Sequence, residues 1–410
     1  MPARNETAPS SSVSLPQRLK SLDALRGFDM FWIIGADSLV YALRDMSPNP
    51  VTGFLATQLD HADWAGFHFY DLIFPLFVFI AGVSLTFSLG KTIARAGRGE
   101  AVKRVLRRSV LLFALGIFYN GGLTHPWPDI RLMGVLERIA LAYFFAGLCF
   151  CFCRPRALVA ICVALLAGYW ALMTFVPFPD VRPTPGVGII AKENGFIRIS
   201  QVNLNSTNCL RGVFIKGVNL SNYLDQRYLP GRKYDGTWDP EGILSTLPAI
   251  ATCLLGVLAG WLLKSQNVTN RRKVALLLAL GAAAVLAGWL WGIQFPVIKK
   301  IWTSSYVLVA GGYSAILLGA FYQIVDVWQW QTWCRPFVWL GMNSITLYLT
   351  AGVLDGFGQI ATRLVGGDVK NLFDVYVATG SGELAISLVG LLLVFWLARF
   401  LYQRKIFLRL

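Results

Sequence analysis

Long apolar runs separated by short polar segments repeat along most of this chain. Ten of the runs approach the length of about 20 residues that an α-helix needs to cross a bilayer. They cover residues 22–46, 69–90, 105–122, 132–152, 156–176, 243–263, 273–294, 303–326, 336–354 and 384–403. A weakly apolar, Gly-rich stretch at 353–365 predicts a re-entrant or surface segment. The pattern therefore predicts an all-α, polytopic membrane helical bundle with ten or eleven transmembrane helices.

One long polar segment interrupts the pattern. It carries many turn residues and two strand-like pieces, at 188–190 and 196–199, which predict a small ordered cap outside the membrane. This divides the chain into a disordered N-terminus (1–18), a first transmembrane half with a catalytic loop (19–176), the cap (177–242) and a second transmembrane half (243–410).

Composition agrees with a membrane protein and supplies the predicted orientation. Only 14% of the residues are charged, against about 25% in soluble domains. The basic residues cluster in the short loops after spans two, four and six and at the C-terminus, as in cytoplasmic loops. Both termini are therefore predicted to be cytoplasmic, and the net charge of +15 does not indicate a nucleic-acid partner. Lys299 and Lys300 fall on the opposite side and are the main exception.

His61 is the strongest candidate for chemistry. The chain has only three histidines, His61, His68 and His125, and all three are predicted at the same extracytoplasmic face. Histidine exchanges a proton near neutral pH, although a lone histidine is more often structural. Asp71, ten residues later, either holds a helix end or orients a histidine or binds a sugar amine or hydroxyl. Pro75 predicts a kink that frees backbone carbonyls.

Ionisable residues inside the predicted spans are further candidates, because such residues usually face protein or water and often mark function. Arg26 lies three residues from both Asp23 and Asp29, so the three side chains can share one helix face. They form either a structural ion-pair network or a site for an anionic group arriving from the cytoplasm. Arg138 in span four needs a partner on another helix, either a phosphate or a carboxylate.

Three more residues have a structural and a functional interpretation. Asn343 opens a polar gap in span nine, where it either joins helices or donates a hydrogen bond to a substrate. Trp64 and Trp238 are either anchors at the membrane interface or stacking surfaces for a sugar. No spacing of cysteines and histidines predicts a metal site.

Five motifs in this order resemble the heparan-α-glucosaminide N-acetyltransferase family: Ser21–Gly27, His61–Trp64 running into Asp71–Pro75, Gly134–Arg138, Trp238–Gly242 and Gly341–Ile345. Each motif alone is weak, but their order and topology are specific, and the resemblance extends from Leu19 to about Leu349. It implies a membrane enzyme that transfers acetyl from cytoplasmic acetyl-CoA to the amine of a glucosamine-type sugar across the membrane.

The resemblance also implies roles for residues. His61 matches the family's active histidine, on the non-cytosolic side, and would be either acetylated transiently or used as a general base. The other roles are our own assignments within this interpretation: Asp71 orients His61 or holds the acceptor, Arg26 and Arg138 are candidates for binding CoA phosphates, and Asn343 is a candidate for donating a hydrogen bond to the thioester oxygen or substrate. Acetyl-CoA, an amino-sugar or glycan acceptor and the lipid bilayer are the expected partners, with no metal and with a homodimer as a candidate assembly.

The chain departs from the family at two points. The family's block usually reads His-x-x-Trp-Asn-Gly, whereas Ala65 occupies the asparagine position here. This leaves a glycan O-acetyltransferase, or a non-catalytic transporter of a sugar or CoA-linked substrate, as alternatives. The large luminal N-terminal extension of the lysosomal enzyme is not seen, which predicts a relative in the bacterial inner membrane, with a periplasmic His61.

Overall fold

The computed structural model describes residues 19–122, 124–182, 189–193, 196–199, 206–353 and 356–408, and the predicted disordered N-terminus lies outside them. The helices are α1 (Lys20–Phe31), α2 (Asp37–Met46), α3 (Pro50–Gln58), α4 (Phe69–Tyr119), α5 (Val135–Phe152), α6 (Pro155–Phe175), α7 (Leu220–Tyr228), α8 (Thr246–Lys264), α9 (Asn270–Gly292), α10 (Ser304–Phe321), α11 (Arg335–Met342), α12 (Ser344–Val353), α13 (Phe357–Val365), α14 (Asp368–Tyr376) and α15 (Ser381–Gln403). Short π-helical segments follow α1 and α10, at Trp32–Ala36 and Tyr322–Val327.

Within the described residues, seven helices are long and apolar enough to cross a membrane. They contain eight of the ten predicted spans, because α4 holds spans two and three. The predicted class, an all-α polytopic membrane bundle, is confirmed. α4, α5, α8 and α10 supply most of the main hydrophobic core.

α4 is two helices joined by a sharp reversal rather than one long rod. Gly97 has φ +83°, in the left-handed region that glycine adopts without strain. The Arg104 guanidinium donates to the Thr92 hydroxyl at 3.2 Å, whereas twelve residues of straight helix would separate their Cα atoms by about 18 Å. The two halves therefore form a hairpin, and spans two and three run in opposite directions as predicted.

Spans one and nine are present as broken helices. Gly35, with φ +114°, interrupts the π-helical segment between α1 and α2. Asn343 separates α11 from α12 and has a non-helical backbone. The stretch at 353–365, predicted to be re-entrant or at the surface, contains the short helix α13, which packs against α15.

α1 and α11 pack backbone to backbone through two glycines. A Cβ atom on Gly341 would overlap the carbonyl of Asp23, and one on Gly27 would overlap the carbonyl of Phe337. Neither helix can carry a larger side chain here without moving apart, because close-packed interiors do not absorb added volume.

Gly341→Ala is accordingly expected to lower the stability of the folded protein by about 1–3 kcal/mol, the usual cost of overpacking. The measurement is the thermal unfolding midpoint in detergent. Gly53→Ala in α3 is the matched control, since no heavy atom outside its local backbone lies within 4 Å of the new Cβ. It should leave the midpoint unchanged or raise it; equal losses in both variants would contradict the packing argument.

The described residues between α6 and α8, namely 176–182, 189–193, 196–199 and 206–245, include the chain's four short strands and α7. Strand β1 (Phe178–Pro179) pairs antiparallel with β4 (Cys209–Leu210), and β2 (Ile189–Glu193) pairs antiparallel with β3 (Phe196–Ile199). Arg131, in the α4–α5 connection, and Lys300, between α9 and α10, contact Asp239 and Asp235 of the segment that precedes α8, and we call this end of the bundle the cap end. The opposite end carries the α4 reversal and the α8–α9 connection, and we call it the basic end.

Candidate functional site

His61 and Asp71 meet at the cap end. Oδ1 of Asp71 lies 2.9 Å from Nδ1 of His61. Oδ2 accepts the backbone N–H groups of Ala62 at 3.1 Å and His68 at 3.0 Å. The Asp71 side chain is fully buried, whereas that of His61 is 46% exposed. The buried Asp71 carboxylate therefore holds the α3–α4 loop in place and leaves the His61 imidazole partly exposed.

The first turn of α4 is held by a side chain from α10. Pro75 has no N–H, so it cannot bond to the carbonyl four residues earlier, which is that of Asp71. This carbonyl instead accepts the Tyr306 hydroxyl at 2.8 Å. Pro75 thus frees a backbone acceptor, as predicted, and Tyr306 uses it to anchor the residue that faces His61.

Lys299 completes the site and was not predicted from the sequence. Its Nζ lies 3.0 Å from Nδ1 and 3.3 Å from Nε2 of His61, and 3.4 Å from Oδ1 of Asp71. Burial lowers the pKa of Lys299, and the Asp71 carboxylate opposes that change. The signal that could have identified it is the exception already noted, a lysine pair on the side of the membrane that basic residues avoid.

Backbone pairing brings the two segments of this site together. The N–H of Gly66 donates to the carbonyl of Val297 at 2.9 Å, and Ala65 pairs with Ile298 in an isolated β-bridge. The residue that replaces the family's asparagine is therefore held through its main chain. This pairing sets the distance between His61 and Lys299, which are 238 positions apart in the sequence.

A cavity of about 380 Å³, the cap-end cavity, opens at these residues. His61, Asp71 and Lys299 line it together with Arg131 and Glu241. Arg131 donates to both carboxylate oxygens of Asp239, at 2.9 and 2.8 Å, and to Glu241 Oε2 at 2.9 Å. Lys300 also lines the cavity, so two acidic side chains (Asp71 and Glu241) and three basic ones (Arg131, Lys299 and Lys300) surround it, opposite an apolar inner wall that suits a small organic group.

Burial, with repulsion from Asp239, raises the pKa of Glu241 to about 7, although Arg138 and Arg131 oppose the change. The folded state therefore keeps a proton that the unfolded chain releases between pH 4.5 and about 7. The contribution of Glu241 to stability is consequently largest at low pH and declines as the pH rises through that interval.

Glu241→Gln should remove this decline. We expect the wild type to lose stability relative to the variant from pH 5 to pH 8, by up to about 3 kcal/mol. Thermal midpoints at pH 5, 6.5 and 8 measure it. Glu100→Gln, at an exposed position of the basic end, is the control and should show a constant difference. A Glu241→Gln midpoint that parallels the wild type at every pH would contradict the assignment.

A second cavity of about 270 Å³ lies at the basic end and is lined by Arg26, Arg104 and Arg108. Arg26 donates to the Ser84 hydroxyl at 2.5 Å and lies 3.6 Å from Asp23 Oδ1. The guanidinium of Arg108 packs over the Tyr143 ring at 4.6 Å. Three guanidinium groups around one cavity favour a multiply charged anion.

The two cavities share part of their walls. Five residues line both: Phe77, Leu136, Ile139, Ser344 and Ile345. Ser344 and Ile345 begin α12, just after the helix break at Asn343. The barrier between the two ends of the protein is therefore a single layer of side chains at this level, where the helix is already interrupted.

The remaining predicted site residues lie outside both cavity linings. Arg138 is fully buried, donates to the Ser245 hydroxyl and packs over the Trp302 ring at 4.9 Å. Asn343 is buried and donates to the Trp339 carbonyl at 3.2 Å.

The two predicted tryptophans pack against each other below the cap. Trp64 and Trp238 meet edge to face with ring centroids 5.7 Å apart, and the indole N–H of Trp64 donates to the Phe214 carbonyl at 2.6 Å. Trp238 is buried. Across the described ranges, no group of three or more His, Cys, Asp or Glu side chains could hold a metal ion.

These features define a polytopic helical membrane protein with a histidine–carboxylate site at one end of the bundle and an arginine-lined cavity at the other. The family model for heparan-alpha-glucosaminide N-acetyltransferase, catalytic, matches residues 18–192. The chain is 26% identical over 429 residues to the heparan-alpha-glucosaminide N-acetyltransferase of Homo sapiens, covering 96% of this chain and 60% of the relative. It is 26% identical over 404 residues to that of Mus musculus, covering 88% and 58%.

The matches confirm the resemblance to the heparan-α-glucosaminide N-acetyltransferase family. It spans about 60% of the length of the curated relatives it matches. The matched catalytic region includes His61 and Asp71, whereas Lys299 and Glu241 come from the part of the chain beyond residue 192.

Proposed function

We propose that this protein is a membrane-embedded acetyltransferase that uses acetyl-CoA to acetylate the amine of a glucosamine-type sugar. The observation that carries the proposal is the shared wall. His61 and Asp71 face a cavity that is separated by one layer of side chains from a second cavity lined by arginines. A donor with a charged head and a long, thin arm suits that pair of spaces.

Acetyl-CoA would enter from the basic end, which we assign to the cytoplasm because basic loops favour that side. Its phosphates would contact Arg26, Arg104 and Arg108, since guanidinium groups bind phosphate with two parallel hydrogen bonds. The pantetheine arm would pass between Phe77 and Ile345 and bring the thioester to His61. Arg138, buried against Trp302, is less suited to the phosphate role that the sequence predicts for it.

The Asp71 carboxylate prepares His61 for either of two routes. By accepting a hydrogen bond from Nδ1–H, it leaves the lone pair on Nε2. In one route Nε2 attacks the thioester carbonyl, the C–S bond breaks and CoA leaves as thiolate; the acceptor amine then takes the acetyl group and the imidazole is restored. In the other, Nε2 removes a proton from the acceptor while both substrates are bound.

The acceptor would occupy the cap-end cavity from the extracytoplasmic side. The relatives' name specifies a glucosaminide, and the acidic side chains of Asp71 and Glu241 line this cavity. Location in a bacterial inner membrane and a homodimeric assembly stay predictions.

The test uses purified protein in liposomes with radiolabelled acetyl-CoA and either glucosamine or N-acetylglucosamine. Transfer to glucosamine alone would support N-acetylation, because only glucosamine has a free amine. Transfer to both would shift the function to O-acetylation. Transport of label without loss of the thioester would replace the enzyme with a transporter, which two cavities with a common wall would also suit.

Removing arginines from the basic-end cavity should weaken donor binding without changing the chemical step. Arg104→Ala and Arg108→Ala are each expected to raise the KM for acetyl-CoA by roughly 10- to 100-fold with kcat nearly unchanged, since each loses a charge-assisted contact. Arg107→Ala is the matched control, because Arg107 is exposed on the same helix and lines neither cavity. Equal effects in all three variants would place the phosphates elsewhere.

A further inference from the structure

Nδ1 of His61 has two neighbours that make opposite demands on it. Asp71 Oδ1 at 2.9 Å can only accept a hydrogen bond, whereas the Lys299 ammonium at 3.0 Å can only donate one. One nitrogen cannot satisfy both. Asp71 cannot turn away, because its Oδ2 is held by two backbone N–H groups. The consistent arrangement has Nδ1–H donating to Asp71 Oδ1, while the Lys299 ammonium pairs with the same carboxylate oxygen at 3.4 Å.

The charges around the ring assign Lys299 a distinct role. The titratable or charged groups that face His61 come from α2, the α3–α4 loop, α4 and the segment at 293–303: Asp37, Asp60, Tyr70, Asp71 and Lys299. Arg131, Glu241 and Lys300 also line the cavity that His61 faces. The carboxylates of Asp37, Asp60 and Asp71 favour a protonated imidazole. Lys299 places its ammonium 3.0 Å from Nδ1 of His61. Because two positive charges about 3 Å apart repel each other strongly, Lys299 disfavours a protonated imidazole.

We propose that Lys299 is a positioning residue that keeps His61 uncharged, so that a lone pair is available on Nε2 near neutral pH. The pair of Asp71 and Lys299 carries no net charge, so it orients the ring without stabilising the imidazolium. A histidine with Asp71 alone would hold a proton more tightly, so a smaller fraction of it would have a free Nε2 lone pair near neutral pH. The catalytic consequence rests on the proposed acetyltransferase function, but the protonation state itself does not.

Histidine NMR tests this directly, because the chain contains only three histidines. The full-length protein, labelled with ¹³C and ¹⁵N in histidine, is titrated in detergent as wild type, Lys299→Met and Lys299→Arg, with ring signals assigned through His61→Gln and His125→Gln. We expect the His61 midpoint to rise by about one pH unit or more in Lys299→Met, the shift that a unit charge at 3 Å causes even with water-like screening. Lys299→Arg should keep the wild-type midpoint.

A second measurement is made on the wild-type protein and does not depend on whether Lys299→Met folds. At pH 7 the ¹⁵N shifts of its His61 ring should show a neutral imidazole with hydrogen on Nδ1. An imidazolium at pH 7, or a His61 midpoint that stays constant or falls in Lys299→Met while those of His68 and His125 are unchanged, would overturn the proposal.

Activity separates this inference from the proposed function. If the protein transfers acetyl, the acid limb of kcat/KM against pH should move to higher pH in Lys299→Met by the same amount as the NMR midpoint. A shifted NMR midpoint in a protein that never cleaves acetyl-CoA would remove the enzyme assignment and leave the role of Lys299 intact. Acetyl transfer with an unshifted His61 midpoint in Lys299→Met would support the enzyme assignment and contradict the role proposed for Lys299.

Discussion

Replacing His61 with alanine is expected to lower acetyl transfer by roughly 10³-fold or more, because both routes need the Nε2 lone pair. The fold should survive, since the His61 side chain is 46% exposed and its backbone position is held through neighbouring residues. Label transfer from acetyl-CoA to glucosamine measures the effect, with the thermal midpoint recorded in parallel.

His125→Ala is the control for this substitution. His125 is at the same end of the protein but lines neither cavity, so its loss should leave transfer within a few-fold of the wild type. Labelled wild-type protein in the absence of acceptor would support the acetyl-histidine route. Full activity in His61→Ala would remove the central residue from the proposed mechanism.

Asp71→Asn is expected to produce the second-largest loss, roughly 10²- to 10⁴-fold in kcat, while the protein remains folded. The asparagine carbonyl can take the place of Oδ2 and accept the N–H groups of Ala62 and His68. Its NH₂ group then faces Nδ1 of His61. Because that group donates, Nδ1 must accept, the ring hydrogen moves to Nε2, and the lone pair needed for catalysis is lost.

The predicted signature is a lower kcat with an unchanged KM for acetyl-CoA and an unchanged thermal midpoint. Asp63→Asn is the matched control, because Asp63 precedes α4 at the same end but is exposed and pairs with Lys216. It should behave as the wild type. If Asp71→Asn lowered the thermal midpoint so far that unfolding explained the lost activity, Asp71 would be a purely structural residue.

The sequence alone was sufficient for the membrane class and for most of the spans. Hydropathy over about 20 residues reports the environment of a helix without knowledge of its neighbours, so these predictions needed no contacts. Span one and span nine were predicted as continuous, although Gly35 and Asn343 break them. A helix break hardly changes the number of apolar residues in a span, so hydropathy does not detect it.

The ordered motifs also indicated the resemblance to the family. They pointed to His61 and Asp71, which are close in sequence, with the start of α4 between them. Arg26 was also predicted from the sequence, whereas Lys299, Glu241, Arg104 and Arg108 required the tertiary structure. Lys299 reaches His61 from 238 positions away through the backbone pairing of Ala65 with Ile298, and hydrophobic pattern does not specify such a register. Likewise, Phe77 and Ile345 become one wall between two cavities only when α4 and α12 pack together, since a cavity is the space that several distant segments leave unfilled.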